Sequence, residues 1–288
     1  MLTGRPWTGF VGCVLLAGAF ATSSVRAHPD LERQIADVTT RLELAPRDAE
    51  LYLHRAELYR VHRDWPAAEA DYARARRLQP RLAIVDFYLG RMKLEADRPK
   101  EAKKALDRFL SREPDHARAR IARARALVKL GDPLAAVADY TRALAGFDED
   151  QRPEPEVYLE RARALAALGD AHADAALRGL DEGLARLGQP VTLQLYAIEI
   201  EVERGRHDAA LERLQAIADS AERQESWLVR RAEILEGAGR VGEARDAYAS
   251  ALAAVAALPP NRRGNRAMRR LEQQARAALE RLDAGSPN

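Results

Sequence analysis

The sequence has little cysteine, few aromatic side chains and almost no net charge. Its 288 residues include one cysteine, 6% aromatic residues, and 46 basic against 44 acidic side chains. A single cysteine excludes a disulfide framework and a cysteine-ligated zinc module. Balanced charge argues against duplex nucleic acid as a partner, because counterion release requires a clustered basic surface. Alanine, leucine, arginine and glutamate are abundant instead, and these residues favour helix, so the composition predicts an all-α protein.

The first 27 residues have the pattern of a cleaved secretory signal peptide. They contain no acidic residue, and residues 10–20 form an apolar run of eleven residues. That run is too short to cross a bilayer, which needs about 20 residues. Small residues at Val25 and Ala27 suit a signal peptidase, so we expect cleavage before His28. Lipid attachment at Cys13 is disfavoured because the apolar run continues past the cysteine.

These features predict an exported protein, in a bacterial periplasm or secreted. The segment that would be removed carries two arginines and no acidic residue, which leaves 44 basic and 44 acidic side chains and a net charge of zero. It also carries the only cysteine, so the mature chain would be indifferent to an oxidising compartment.

Internal repeats of about 34 residues run along most of the chain. Prolines and large apolar residues recur at this spacing at Pro46, Pro80 and Pro114, and at Tyr72, Leu106 and Tyr140. Later in the chain, Gly131, Gly169, Gly205 and Gly239 follow one another at intervals of 38, 36 and 34 residues. The first of these intervals contains a stretch rich in proline and acidic residues at 148–155, which predicts an enlarged connection between two repeats.

Each repeat contains two stretches with apolar residues three and four positions apart, which is the pattern of two amphipathic helices. In the first repeat, Ala56 and Ala68 allow the two helices to approach closely, and Pro80 ends the second helix. One hairpin cannot bury its own apolar faces, so neighbouring hairpins must stack. We therefore predict an initial half-repeat at 28–47, a repeat array at 48–258, and a closing helix with a short tail at 259–288.

The repeat resembles the tetratricopeptide repeat, whose pattern includes W-x2-L-G-x2-Y, A-x3-F and a closing proline. The residues that carry the likeness include Tyr59, Ala68, Tyr72, Ala75 and Pro80 in the first repeat and Tyr88-Leu89-Gly90 in the second. The likeness extends over about residues 49–258 in six repeats, and it is weaker in the fourth and fifth, where Gly183 and Ile217 replace alanine. It implies a right-handed superhelical α-solenoid with a capping helix at each end.

No residue pattern in the sequence indicates catalysis, a metal or a cofactor. The six histidines are scattered, and His-Glu-x-x-His, Gly-x-Ser-x-Gly and glycine-rich phosphate loops are absent. We therefore expect a protein that is not an enzyme and has no cofactor or metal. An enzyme of unknown type remains a rival interpretation.

The resemblance also implies a binding groove, lined by the second, fifth, sixth, ninth, twelfth and thirteenth positions of each repeat. Counted from Ala49, Ala83, Ala117, Pro155, Val191 and Glu225, the ninth positions are Glu57, Arg91, Arg125, Arg163, Glu199 and Glu233. The three central arginines would suit carboxylates of an acidic peptide, because guanidinium pairs bidentately with carboxylate. Phe87, Tyr88 and Tyr196 are the aromatic residues predicted on the same surface. The alternative is that these arginines pair with glutamates on neighbouring helices.

Two further surfaces are predicted less directly. A carboxylate clamp of the kind that grips chaperone C-termini is disfavoured, because Leu53 and Glu57 stand where the resemblance implies Lys and Asn. The arginine-rich closing helix suits either a solubilising cap or contact with an anionic membrane surface. The sequence thus predicts a protein-binding scaffold of the cell envelope; the alternative is a structural subunit of an envelope assembly or secretion complex that uses its convex or end surfaces.

Overall fold

The computed structural model describes residues 29–148 and 151–284, and this part of the protein is mainly helical. Those residues form fifteen α-helices and one short 3-10 helix, and they contain no strand. The predicted all-α repeat architecture is therefore confirmed. The predicted signal peptide at 1–27 lies outside the described residues. The chain divides after Gln79 into two compact units.

The first unit consists of one helix followed by one helix hairpin. Its helices are α1 (Pro29–Leu44), α2 (Ala49–Val61) and α3 (Trp65–Leu78). Asp48 caps α2, because its carboxylate accepts hydrogen bonds from the backbone N–H groups of Glu50 at 2.9 Å and Leu51 at 3.1 Å. Tyr72 of α3 is fully buried, as the repeat pattern predicted.

The second unit contains five helix hairpins of the same kind. Helices α4 to α13 pack in consecutive pairs, and two helices follow them. Their bounds are α4 (Ile84–Glu95), α5 (Pro99–Leu110), α6 (Ala117–Lys129), α7 (Pro133–Ala145), α8 (Pro155–Ala166), α9 (Ala173–Leu187), α10 (Val191–Glu203), α11 (His207–Ser220), α12 (Glu225–Gly237), α13 (Val241–Ala256), α14 (Pro260–Arg263) and α15 (Arg266–Ala284), with the 3-10 helix at Asp170–His172 before α9.

The turn inside each hairpin contains one residue in the left-handed backbone region. Four of these residues are the glycines at 131, 169, 205 and 239, whose φ values lie between 70° and 99°. Arg63 (φ 62°) and Asp97 (φ 54°) occupy the same position in the first two hairpins. Glycine adopts this conformation without steric penalty, whereas a side chain is strained there. The spacing of these glycines in the sequence therefore marks the hairpin turns.

Two glycines inside helices permit unusually close contacts between helices. A Cβ atom on Gly90 would lie 2.5 Å from Cγ of Leu106, and one on Gly183 would lie 2.8 Å from Cγ of Tyr158 and from Cδ1 of Leu193. Gly183 replaces the alanine of the repeat pattern, which made the fourth repeat appear less typical in sequence. The structure gives the physical reason, since even alanine would be too large at this position.

The last helix covers one end of the second unit. Met268, Ala275 and Ala278 form the buried side of α15, which packs mainly on α13. Arg266 and Arg269 lie on the exposed side of the same helix. Among the described residues, no helix has both the length and the apolar character that a membrane crossing demands.

Candidate functional site: a basic pocket on the first helices of three repeats

A pocket of about 720 Å³ lies within the second unit, where the first helices of three successive repeats meet the connection that precedes α8. Helices α4 and α6 form most of its wall, and Val157 of α8 closes one side. The residues that line it are Phe87, Arg91, Leu94, Glu95, Arg118, Ile121, Ala122, Arg125, Lys129, Phe147, Arg152, Pro153, Glu154 and Val157.

The charged side chains of this pocket are mainly basic, five against two acidic. Nε of Arg125 donates to both carboxylate oxygens of Glu160 at 3.0 Å, and Lys129 pairs with Asp97 at 2.5 Å. Across residues 29–148 and 151–284, no carboxylate forms an ion pair with the other three, which are Arg91, Arg118 and Arg152. Unpaired guanidinium groups around one pocket favour a ligand that carries carboxylates.

The apolar side of the pocket contains a packed group of rings. Phe87 is only 6% exposed, and its ring centroid lies 5.5 Å from that of Phe109 and 5.1 Å from that of His116. His116 is itself fixed, because its Nδ1 accepts a hydrogen bond from the backbone N–H of Ala119 at 3.1 Å and so caps α6. The guanidinium of Arg91 lies 5.7 Å from the ring centroid of Phe87. Arg91 is therefore held at the pocket by a cation–π contact rather than by an acid.

The structure brings three of the six predicted contact residues into this pocket, namely Phe87, Arg91 and Arg125. Tyr88 lies beside it, with its ring centroid 5.8 Å from the guanidinium of Arg91. Arg125 behaves partly as the alternative interpretation predicted, since it pairs with a glutamate on a neighbouring helix.

Arg163 and Tyr196, the remaining two, form a separate contact outside the pocket lining. The Arg163 guanidinium lies 5.6 Å from the Tyr196 ring centroid and 3.6 Å from a carboxylate oxygen of Glu156. The Arg163 side chain is 57% exposed. Burial raises the pKa of the Tyr196 phenol, and the nearby Arg163 charge opposes that rise. The three predicted arginines therefore do not form one row. Arg91 and Arg125 line the pocket, whereas Arg163 contacts Tyr196 outside it.

The pairing of Arg125 connects the pocket to the core of the third repeat. The Glu160 carboxylate also lies close enough to act electrostatically on Tyr140, a residue that is only 1% exposed. Burial, and secondarily the charge of Glu160, raise the pKa of the Tyr140 phenol well above its usual value. Tyr140 therefore stays neutral beside the ion pair of Arg125 and Glu160.

Sequence reasoning missed two groups of lining residues. Arg118 and Lys129 occupy the second and thirteenth positions of the third repeat, which belong to the groove positions given above but were not singled out. Phe147, Arg152 and Pro153 belong to the connection between α7 and α8. The sequence does indicate the second group, because the stretch at 148–155 predicts an enlarged connection. That pattern alone predicted no role in binding for the connection.

The structure shows no cluster of metal-binding side chains within its described ranges, 29–148 and 151–284. No three His, Cys, Asp or Glu side chains come together there as a metal ion would require.

Stacked helix hairpins with a left-handed residue in each turn define a helical-repeat protein, and sequence comparison identifies its family. The tetratricopeptide repeat model matches residues 87–147, 121–183 and 197–259. These matches cover 87–183 and 197–259, or 160 of the 288 residues. The chain belongs to the tetratricopeptide repeat family, whose members bind proteins or peptides.

Solved structures agree on the fold. YrrB, described as a tetratricopeptide repeat protein with an unusual peptide-binding site, is 22% identical, with a TM-score of 0.53 over 63% of this chain and 91% of its own. PilW, described as a type IV pilus biogenesis factor, is 21% identical, with a TM-score of 0.54 over 66% and 86%.

A tetratricopeptide repeat protein from Parabacteroides merdae is 14% identical, with a TM-score of 0.53 over 88% of this chain and 93% of its own. At these identities the likeness concerns the fold alone. No curated protein matches the chain at a significant level.

Proposed function

We propose that this protein is a non-enzymatic interaction scaffold that binds an acidic segment of a partner protein in the pocket between α4, α6 and α8. The observation that carries the proposal is the group of three arginines without an acidic partner, Arg91, Arg118 and Arg152, around an apolar wall. Carboxylates of the segment would pair with these guanidinium groups, and an apolar side chain would pack near Phe87 and Ile121.

Fluorescence anisotropy with a labelled peptide tests this directly. The probe peptide places one Leu between Asp and Glu residues, and the control peptide replaces each acid by its amide. We expect the acidic peptide alone to bind. Arg91→Gln and Arg118→Gln should each weaken its affinity about tenfold or more, because a charged hydrogen bond contributes about 1.5–3 kcal/mol.

Arg178→Gln is the matched control, because Arg178 is an exposed arginine on α9 that lies outside the pocket lining. Equal binding of the acidic and amide peptides, or equal losses in all three variants, would contradict the proposal. The affinity of the Arg163→Gln variant for the acidic peptide tests whether the binding surface extends beyond the pocket. A loss of affinity would place the Arg163 and Tyr196 pair in the same binding surface, whereas no loss would confine the site to the pocket.

We also propose that the protein is exported to the cell envelope, on the strength of the signal-like segment at 1–27. Cell fractionation of the full chain and of a variant that lacks residues 2–27 tests this. Equal distribution of the two between compartments would contradict export.

A second candidate function uses the end surface at α14 and α15. Five arginines there lie exposed, and none forms an ion pair with another described residue. Three of them lie within the first turns of α15, where the helix dipole disfavours positive charge, so helix stability does not explain them. They are Arg262, Arg263, Arg266, Arg269 and Arg270.

Such a cluster would favour an anionic membrane surface, consistent with a structural role in an envelope assembly. Sedimentation with vesicles of phosphatidylglycerol and phosphatidylcholine tests this. We expect salt-sensitive binding that is lost when Arg266, Arg269 and Arg270 become Gln. Binding that is equal with phosphatidylcholine alone would contradict it.

A further inference from the structure

The connection between α7 and α8 is built differently from the other connections between repeats in the second unit. It spans nine residues, 146–154, whereas its counterparts span six (111–116), three (188–190) and four (221–224). Phe147, Arg152, Pro153 and Glu154 of this connection line the pocket. Helical groove positions alone would leave this side of the pocket open, so the connection supplies one of its walls.

Arg186 lies near the end of α9, and its guanidinium donates hydrogen bonds to backbone carbonyl groups of this connection and of α7. Its Nη1 donates to the carbonyl oxygen of Leu144 at 3.2 Å, and its Nη2 donates to those of Phe147 at 2.8 Å and Asp148 at 2.9 Å, with a longer contact to Gln151 at 3.4 Å. Leu144 lies in the last turn of α7, where carbonyl groups lack helical partners. One guanidinium therefore caps α7 and holds the backbone of Phe147 and Asp148 beside it.

The hydrogen bonds of the Arg186 side chain all go to these carbonyl groups. It is half-buried, and no described carboxylate forms an ion pair with it. Arg186 also does not belong to the pocket lining. Its contacts are those of a residue that positions a loop rather than one that touches a ligand.

We propose that Arg186 is a positioning residue for the binding pocket, and that the described part of the α7–α8 connection, residues 146–148 and 151–154, is the wall that selects an acidic segment with an apolar side chain. By holding the backbone on both sides of Phe147, Arg186 keeps the aromatic ring and the Arg152 guanidinium at the same pocket. The ligand class rests on the proposed function above, while the positioning role rests on the four carbonyl contacts.

Two measurements on the full chain test the proposal, with Arg186→Gln, Arg186→Lys and the control Arg178→Gln on the same helix. Hydrogen exchange reports the order of the connection through peptides that span residues 144–155. Anisotropy with the acidic peptide described above reports binding. Thermal unfolding confirms that each variant is folded at the assay temperature.

We expect Arg186→Gln to speed exchange in the connection and to weaken the peptide about tenfold, because the wall must then be ordered at the moment of binding. Arg186→Lys should rescue part of both losses, since an ammonium still donates to carbonyls but lacks the planar fork. Arg178→Gln should match the unsubstituted protein in both measurements.

A double-substitution cycle with Arg152→Gln separates positioning from general destabilisation. If Arg186 acts through the connection, Arg186→Gln should weaken binding further by clearly less than tenfold in the Arg152→Gln background, because the part of its effect that depends on Arg152 is already lost. Full additivity would overturn the proposal, as would unchanged exchange or unchanged affinity in Arg186→Gln.

The two proposals fail in different ways. Absence of peptide binding by the unsubstituted protein overturns the proposed function and the ligand class, while exchange still decides whether Arg186 holds the connection. Normal binding with no effect of Arg186→Gln overturns the positioning role and leaves the proposed function standing.

Discussion

The replacement of Gly90 by alanine tests how closely α4 and α5 pack. The new Cβ would lie 2.5, 2.9 and 3.3 Å from Cγ, Cδ2 and Cδ1 of Leu106. Leu106 is fully buried in a cluster with Phe109 and Leu110, so it has little room to change rotamer. The two helices would have to separate.

The expected magnitude is the difference between two effects. Overpacking of a core costs about 1–3 kcal/mol, and a 2.5 Å contact with a branched carbon lies at the upper end of that range. Alanine in place of glycine inside a helix gains about 1 kcal/mol. We therefore expect Gly90→Ala to destabilise the protein by about 2 kcal/mol.

Gly242→Ala makes the same chemical change without the clash. Gly242 is the second residue of α13, and a Cβ there would have no neighbour within 4 Å. It should stabilise the protein by about 0.4–1 kcal/mol through the reduced entropy of the unfolded chain. The two variants should therefore shift the urea midpoint, measured by circular dichroism, in opposite directions.

The cause can be isolated with Leu106→Ala. That change removes the clashing atoms, so Gly90→Ala should become favourable in its background. If Gly90→Ala costs the same free energy in both backgrounds, Leu106 is not the reason. If Gly90→Ala stabilises the original protein as Gly242→Ala does, the conclusion that α4 and α5 pack too closely for a Cβ atom at residue 90 is wrong.

Three other substitutions probe the turns and the buried charges. Arg63→Gly should stabilise the first hairpin by about 1 kcal/mol, because Arg63 is held at a φ of 62°, and a lower urea midpoint would contradict this. Asp139→Asn should destabilise by about 3 kcal/mol, since buried Asp139 accepts hydrogen bonds from Arg123 at 2.6 and 2.7 Å; a loss under about 1 kcal/mol in urea unfolding would refute it. Glu101→Gln should flatten the fall in stability as the pH drops below about 4.5. The Lys93 ammonium, 2.9 Å from a Glu101 carboxylate oxygen, lowers the pKa of Glu101, so the contribution of this pair to stability is fully present above pH 4.5 and is lost as the pH falls. Unfolding midpoints of the two proteins that decline in parallel would contradict this.

Much of the fold could be predicted because its signals are local and periodic. The six hairpins were expected to begin at residues 49, 83, 117, 155, 191 and 225, and their first helices begin at 49, 84, 117, 155, 191 and 225. Proline at a helix end and a small residue at a helix contact act within one repeat, so spacing reveals them. Tyr72 and Tyr140 are buried as this spacing requires.

The candidate site was less predictable because its properties depend on contacts between repeats. Arg91 and Arg125 occupy the same repeat position, yet only Arg125 has an acidic partner, supplied 35 residues away by Glu160. No spacing rule for a single repeat contains that information. The wall formed by residues 146–148 and 151–154 does not follow the repeat pattern, so the sequence shows the length of this connection but not where it lies against the helices.

The distribution of arginine explains why a nearly neutral chain has a distinctly basic pocket. Several arginines elsewhere in the second unit pair with acids of the preceding repeat, as in the pairs of Arg123 with Asp107 at 3.0 Å and of Arg213 with Asp181 at 2.8 Å. Each such pair consists of one positive and one negative side chain, so it adds no net charge to its part of the surface. Because the total charge is only +2, a strongly basic surface requires a local group of basic side chains without nearby acids. The basic character of the pocket therefore depends on which of its arginines lack an acidic partner rather than on how many arginines the chain contains.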